Sequence, residues 1–387
     1  MTIARHRLAA MALVTGSLPG WLLPARPAAG ANDPPAVQTP ATTRATDAAE
    51  LFLQAARAIV TDSPSSSALN YPAYPPMGDA WTAMAAQAWK ANGKARDLAR
   101  QARSSALATW PAGQNLHWLG ECRELANDLV DASLYAHLQG QDAAAIELMR
   151  DNLHLARLMR KDPPTHDLVP QSVAAGIDAA GMYRLLMITS AIRLTADPAD
   201  GQALQITSAR QLIRELLDQQ SSESQIRQCL GADYEAVKSD LGEAGTSIAK
   251  AAERFNRSNA ERTMAAMSLA CHLFRTDKGR WPTSLEEILA TSLPGVPADP
   301  WGDGTQTFAY VLIKGGLPDG SDRPLVYSRC ESQDGLFFQI DAPQYGFYAS
   351  EKEKPLPERK RGGQFRDVAR WVPVPGRRVW PTTQPLP

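Results

Sequence analysis

The chain has 387 residues, of which 44% are hydrophobic and 21% are charged, and its formal net charge is −1. This composition is typical of a globular protein, and the length allows two domains of ordinary size. A net charge so close to zero gives no electrostatic case for nucleic acid, so we expect no nucleic-acid partner.

Residues 1–31 have the organisation of an export signal. Basic residues Arg5 and Arg7 precede an apolar stretch, and small residues up to Ala31 form a cleavage site. The apolar stretch is shorter than the roughly 20 residues of a membrane-spanning helix. We therefore predict an exported protein, periplasmic or extracellular. The alternative is an uncleaved signal that anchors the protein to the inner membrane.

Two segments of different character follow the signal. Residues 32–78 are rich in Pro, Ala and Ser and predict a linker with one short helix over 48–60. Residues 79–256 show apolar residues at helical spacing almost throughout and predict a helical domain. Within it we expect a helical hairpin that turns at Gly140, a helix capped by Asp197 and Pro198 over 199–217, and a polar helix over 222–256.

Residues 257–345 predict a different unit. A long helix ends near Gly279, and Thr283 with Glu286 forms a capping box for a short second helix. Short aromatic and β-branched runs at 308–313, 325–328 and 335–340 predict an antiparallel sheet with turns at glycine. We expect residues 258–344 to be independently compact. The whole chain is therefore predicted to be α+β and predominantly α, with a multi-helix domain before a module of one long helix and a small sheet.

Residues 346–387 are basic and rich in proline. This composition predicts a flexible tail. The alternative is a tail that binds polyanions such as acidic lipid or wall polymer.

The order of elements in 262–313 resembles the globular part of the type II secretion major pseudopilins, which are pilin-like proteins. Two short motifs carry this resemblance: Gly279, Arg280, Trp281 and Pro282, and then Asp299, Pro300, Trp301 and Gly302. The resemblance implies a structural role for these eight residues. The chain departs from the family in two respects, because a polar segment precedes the long helix and no acidic calcium loop follows the sheet. The whole chain is also similar to exported envelope proteins of planctomycete-type bacteria.

Four cysteines in an exported protein allow three disulfide pairings. Grouping them by predicted unit favours Cys271 with Cys330 and Cys122 with Cys229. Four separate buried thiols are the alternative.

The sequence contains no nucleophile elbow, zinc-protease motif, P-loop or dinucleotide fingerprint, so we predict no catalytic residue, cofactor or metal. His117, Glu121 and Glu124 share one helix face, which is common on solvated helices. We therefore expect a non-enzymatic cell-envelope protein with a scaffold or protein-binding role, whose partners are other envelope proteins. Membrane contact would be made only through an uncleaved signal or the basic tail. A hydrolase or lytic enzyme acting on wall or extracellular polymer, and a type II secretion-associated subunit, are the alternatives.

Overall fold

The computed structural model describes the following residues: 47–65, 79–105, 107–111, 116–161, 168–189, 192–197, 199–239, 242–300, 307–314, 322–327 and 369–371. The protein is predominantly helical, as its sequence predicts. The predicted signal, most of the linker and most of the tail lie outside the described residues.

The described residues form eleven α-helices and five short strands. The helices are α1 (Ala48–Arg57), α2 (Asp79–Ala91), α3 (Gly93–Ala102), α4 (His117–Leu138), α5 (Asp142–Lys161), α6 (Leu168–Thr189), α7 (Ile206–Leu217), α8 (Ser222–Leu230), α9 (Tyr234–Lys238), α10 (Glu243–Lys278) and α11 (Leu285–Thr291). The strands are β1 (Leu194–Thr195), β2 (Leu204–Gln205), β3 (Ala309–Ile313), β4 (Arg323–Tyr327) and β5 (Ala369–Trp371).

Helices α4, α5 and α6 pack against one another and form the centre of the bundle. The predicted hairpin is present, because α4 ends beside Gly140, whose φ of 77° lies in the left-handed region that favours glycine. Helix α1, the short helix predicted in the linker, packs on α3 and α4. Its N-cap Asp47 accepts hydrogen bonds from the backbone of Ala49 and of Thr109, which ties the cap to the bundle.

Helix α10 has 36 residues, which corresponds to a length of about 54 Å. It packs on α6, α7, α8 and α9, and it also contacts α11 and β4. One buried apolar cluster contains Ile146 and Leu212 from the bundle together with Met267, Ile288 and Phe308. The predicted boundary at residue 257 therefore lies inside a helix. The independent compactness of the C-terminal unit stays a prediction, and this shared cluster counts against it.

The predicted helix over 199–217 begins later than expected, at Ile206. Asp197 accepts a hydrogen bond from the backbone of Ala199, and Asp200 accepts one from Gln202, so these carboxylates hold turns instead of capping a helix. The backbone of Leu204 then donates to the Arg193 carbonyl, which pairs β2 with β1 in parallel.

The predicted polar helix over 222–256 is also interrupted. Helix α8 ends before Gly231, which has a positive φ of 53°, and the short helix α9 follows before α10 begins at Glu243. Left-handed backbone at Gly231 does not continue a right-handed helix, which explains the break.

The small antiparallel sheet has the order β3-β4-β5. The register pairs Ala309 with Tyr327 and Leu325 with Trp371. Strand β5 comes from the segment that composition predicts as a flexible tail, so that prediction is wrong for residues 369–371. The strand expected at 335–340 lies outside the described residues.

The start of α11 differs from the predicted capping box by one residue. Ser284 is the N-cap residue, and Glu287 rather than Glu286 reaches back to the preceding backbone. Glu287 accepts hydrogen bonds from the Thr283 backbone at 2.7 Å and from Arg280 at 2.6 Å. These bonds, led by the one from Arg280, lower the pKa of Glu287 to about 2.

Candidate functional site

A groove of about 540 Å³ lies over one face of α6, with α4 and α10 on its two sides. We call it the α6 groove. It is lined by Arg123, Ala126 and Asn127 of α4, by Ser172, Val173, Ala175, Gly176, Ile177, Ala179 and Ala180 of α6, and by Arg254, Arg257, Ser258 and Glu261 of α10. Its volume is within the range of small-molecule sites.

The spacing of the lining residues follows helix geometry. On α6, Gly176 and Ala180 are four residues apart, and on α10, Arg254 and Glu261 are seven residues apart, so each set lies on one helix face. The α6 residues are small, and they form a shallow apolar floor between longer side chains on the two neighbouring helices. Gly176 is exposed, so the floor is open to solvent.

Positive charge dominates the walls of the groove. Arg123 of α4 is exposed and Arg254 of α10 is half-buried, and neither forms an ion pair with a carboxylate among the residues that the structure describes. Arg257 differs, because its Nε lies 3.1 Å from the Glu261 carboxylate. The only carboxylate among the described lining residues is therefore already paired, and Arg123 and Arg254 are left to interact with a ligand.

A buried ionic cluster lies beside the groove. Asp178 is fully buried and is paired with Arg160 and, at 3.6 Å, with Arg262. Ser258, which lines the groove, donates a hydrogen bond to Asp178 at 3.3 Å. Burial lowers the pKa of Arg262 to about 10. Because two guanidinium groups face one carboxylate, the cluster adds a further positive charge next to the groove.

This arrangement suits anion binding better than acid–base catalysis. Guanidinium groups form charge-assisted, bidentate hydrogen bonds with carboxylates and phosphates. General acid–base chemistry needs a second titratable group placed near the first. The described lining contains no histidine, and Glu261 is committed to Arg257.

The first motif taken from the pseudopilin resemblance lies at the end of α10, away from the groove. Gly279 has a φ of 70° and terminates the helix. The ring of Trp281 is buried, with Arg275 stacked over it at 4.5 Å and the His272 ring edge-on at 5.2 Å. The Pro282 carbonyl accepts a hydrogen bond from Tyr310 at 2.7 Å. These contacts hold the end of α10 against β3 and therefore stabilise the fold.

The second motif is described only in part. Asp299 is buried and Pro300 is half-buried, while Trp301 and Gly302 lie outside the described residues. An isolated bridge between Ala298 and Thr307 flanks this segment. The described residues of the two motifs are not among those that line the α6 groove.

The described cysteines are not joined in disulfide bonds. Cys122, Cys229 and Cys271 are all buried, so the predicted disulfide between Cys122 and Cys229 is absent. Burial raises the pKa of the Cys122 and Cys271 thiols well above the usual value, which keeps them protonated and unreactive. Cys330 lies outside the described residues.

His117, Glu121 and His137 of α4 contact neighbouring side chains. Glu121 accepts two hydrogen bonds from Arg57 and lies 3.7 Å from His117, whose side chain is exposed. His137 contacts Asp142 at 2.5 Å, whereas the His154 ring packs near Phe52. Within the described ranges, no group of three or more His, Cys, Asp or Glu side chains is arranged to hold a metal ion.

The α6 groove was not predicted from the sequence. Arg123 and Arg254 resemble ordinary surface arginines, since they are 131 positions apart and belong to no motif. The one available signal is the run of small residues near Gly176 in a helix otherwise rich in large apolar side chains. Small residues on one face of a helix leave space above that face unless a large side chain of a neighbouring helix occupies it.

No helix in the described part of the chain is sufficiently long and apolar to cross a membrane. No protein-family model, no curated protein and no solved structure matches the chain.

Proposed function

We propose that this protein is a non-enzymatic, exported protein of the cell envelope, in which the α6 groove binds an anionic partner and the surrounding helices act as the scaffold. One observation carries the binding role: Arg123 and Arg254 line the groove without a carboxylate partner among the described residues. The export role rests on the basic and apolar pattern of residues 1–31.

A hydrolase acting on wall or extracellular polymer is the main alternative. Such an enzyme places two carboxylates, or a carboxylate and a histidine, around the bond to be cleaved. The described lining offers Glu261 alone, and the ion pair with Arg257 occupies it. The groove therefore favours binding over hydrolysis.

A type II secretion-associated subunit is the second alternative, and the order of α10, α11, β3 and β4 favours it. However, α10 starts with a charged segment that includes Glu243, Lys250 and Glu253. Such a helix start cannot insert into an apolar pilus core or a membrane without burying charge. We therefore rank this alternative below envelope binding.

Fractionation of cells that express the full chain tests export. We expect a mature protein in the periplasmic or extracellular fraction whose N-terminus, determined by mass spectrometry, follows Ala31. Recovery of the uncleaved chain in the cytoplasm would contradict the proposal. Recovery of the uncleaved chain in the inner membrane would instead support the anchored alternative.

Co-sedimentation with washed cell-envelope material tests the binding role. We expect binding that weakens as salt increases and that falls when Arg123 and Arg254 are both replaced by glutamine. The double variant with Arg210→Gln and Arg214→Gln removes two positive charges from the exposed surface of α7 and is the matched control. Release of soluble fragments from the envelope material by the purified protein would support the hydrolase and contradict the proposal.

A further inference from the structure

The two arginines that lack a carboxylate partner lie on opposite walls of the α6 groove. Arg123 belongs to α4 and Arg254 to α10, and the apolar floor supplied by α6 separates them. We propose that the groove binds a small organic dianion, with two carboxylate or phosphate groups joined by a short apolar chain. This inference rests on the proposed function, because it names the ligand class of the same groove.

One arginine on each wall of the groove indicates that the ligand carries two acidic groups. A guanidinium group pairs best with one planar carboxylate or with one phosphate face. Both α4 and α10 pack directly against α6, and packed helices have interaxial distances of about 8–10 Å. Long arginine side chains that start from the two walls can therefore reach the two ends of one small ligand, whereas a ligand with one acidic group would satisfy one wall only.

The floor determines the middle of the ligand. Val173, Gly176 and Ala179 present small apolar surface without charge. Methylene groups gain free energy when they leave water for such a surface. A short aliphatic chain therefore suits the floor.

An unsatisfied hydroxyl supports a polar head group at one end of the floor. The Ser172 Oγ atom is buried, lines the groove and has no hydrogen-bond partner among the described residues. A buried hydroxyl without a partner costs free energy, and a rotation of the Ser172 side chain about χ1 that turned Oγ into the groove would let it donate to an acceptor oxygen on a ligand. Asn127, on the α4 wall, adds an amide that can donate to the same class of acceptor.

Isothermal titration calorimetry on the purified full chain tests the ligand class with adipate, a six-carbon dicarboxylate, as the probe. We expect adipate to bind at least about tenfold more tightly than hexanoate, which has the same chain length and one carboxylate. We expect hexane-1,6-diamine, the matched dication, not to bind. Inorganic phosphate tests whether the site accepts any small anion.

Three variants and one control variant test whether the ligand binds in the α6 groove. Arg123→Gln and Arg254→Gln should each reduce adipate affinity to the level of hexanoate, while Arg210→Gln should leave it unchanged. Gly176→Leu should abolish binding, because its side chain would fill the floor, and a Cβ at this position has no neighbouring atom within 4 Å that would disturb the fold. Circular dichroism should show the same helix content and melting temperature for all four variants as for the unmodified protein, within a few degrees.

Several outcomes overturn this inference. Equal affinity for hexanoate and adipate would show that the two arginines do not each bind one acidic group. Binding of the diamine would show that the groove does not require an anion. Phosphate binding as tight as adipate binding indicates a site for single small anions. If no probe binds while envelope co-sedimentation still depends on Arg123 and Arg254, the dianion inference fails and the proposed function stands. If adipate binds but the protein stays in the cytoplasm, the dianion inference stands and the proposed function in the cell envelope fails.

Discussion

At the residue scale, Asp178 balances two buried cations. Its carboxylate is fully buried and interacts with Arg160, Arg262 and Ser258. Removing one partner of a buried ion pair leaves the other charge uncompensated in a low-dielectric environment. We expect Asp178→Asn to lower the free energy of unfolding by about 3–5 kcal/mol, measured by urea unfolding followed by circular dichroism.

The matched control for this substitution is Glu223→Gln. Glu223 also pairs with an arginine, Arg227, but both side chains are more than half exposed. Solvent screens such a pair, so its loss should leave the urea midpoint nearly unchanged. If Asp178→Asn shifted the midpoint no more than Glu223→Gln, the buried cluster would not have the electrostatic role argued above.

Asp151 gives a second prediction at this scale, on the pH dependence of stability. Burial raises its pKa from 3.8 to about 6, although Arg100 and Arg103 oppose the shift. The folded protein therefore binds this proton more tightly than the unfolded chain does. Its contribution is fully present below pH 3.8, is lost between pH 3.8 and about 6, and amounts to about 3 kcal/mol for a shift of this size.

Asp151→Asn tests this sign. The stability of the unmodified protein relative to the variant should fall as the pH rises from 4 to 6 and should be constant from 7 to 8, measured by urea unfolding at each pH. Asp200 is the comparison, because backbone hydrogen bonds from Ala203 and Gln202 lower its pKa below 3.8. Its contribution is lost only as the pH falls below 3.8, so Asp200→Asn should give a nearly flat profile between pH 4 and 6. A relative stability that rises between pH 4 and 6 would contradict the argument for Asp151.

At the scale of elements, the sequence predicts what depends on local chemistry. The turn at Gly140 and the helix end at Gly279 follow from glycine in left-handed backbone, and both are confirmed. The start of α7 was wrongly predicted because an aspartate followed by proline suits a turn as well as a helix cap. The α6 groove depends on which helices flank α6, and no local pattern around Arg123 or Arg254 encodes that packing.

Two glycines of α6 test how closely this element packs. A Cβ at Gly181 would lie 2.6 Å from the Asn152 amide nitrogen and 3.3 Å from the Met149 sulfur, whereas a Cβ at Gly176 would meet no atom within 4 Å. We expect Gly181→Ala to destabilise the protein by about 1–3 kcal/mol, because the buried neighbours must move. Gly176→Ala should stabilise it by up to about 1 kcal/mol through higher helix propensity.

Thermal unfolding of the two glycine variants measures this difference. The two substitutions add the same methyl group to the same helix, so each is the control for the other. Similar melting temperatures for both variants would show that α6 does not approach α5 closely at Gly181.

At the scale of the whole molecule, α10 links the bundle to the C-terminal unit. Its buried residues Met264 and Met267 share one apolar cluster with Leu212 of α7 and with Ile288 of α11. The sequence could not reveal this sharing, since the change in composition near residue 257 marks only where the polar segment ends. Packing on two sides of one helix makes the two units energetically dependent on each other.

Leu212→Ala tests whether that dependence is strong enough to make unfolding cooperative. Leu212 is fully buried, so its truncation should cost about 2–5 kcal/mol. Hydrogen exchange followed by mass spectrometry should show faster exchange in α7 and, by a similar factor of at least about tenfold, in α11 and β3. Val60→Ala, at a position that is 73% exposed, should change none of these rates. If exchange accelerated in α7 alone, the C-terminal unit would be stable by itself, and the boundary at residue 257 would be a domain boundary in spite of the continuous helix.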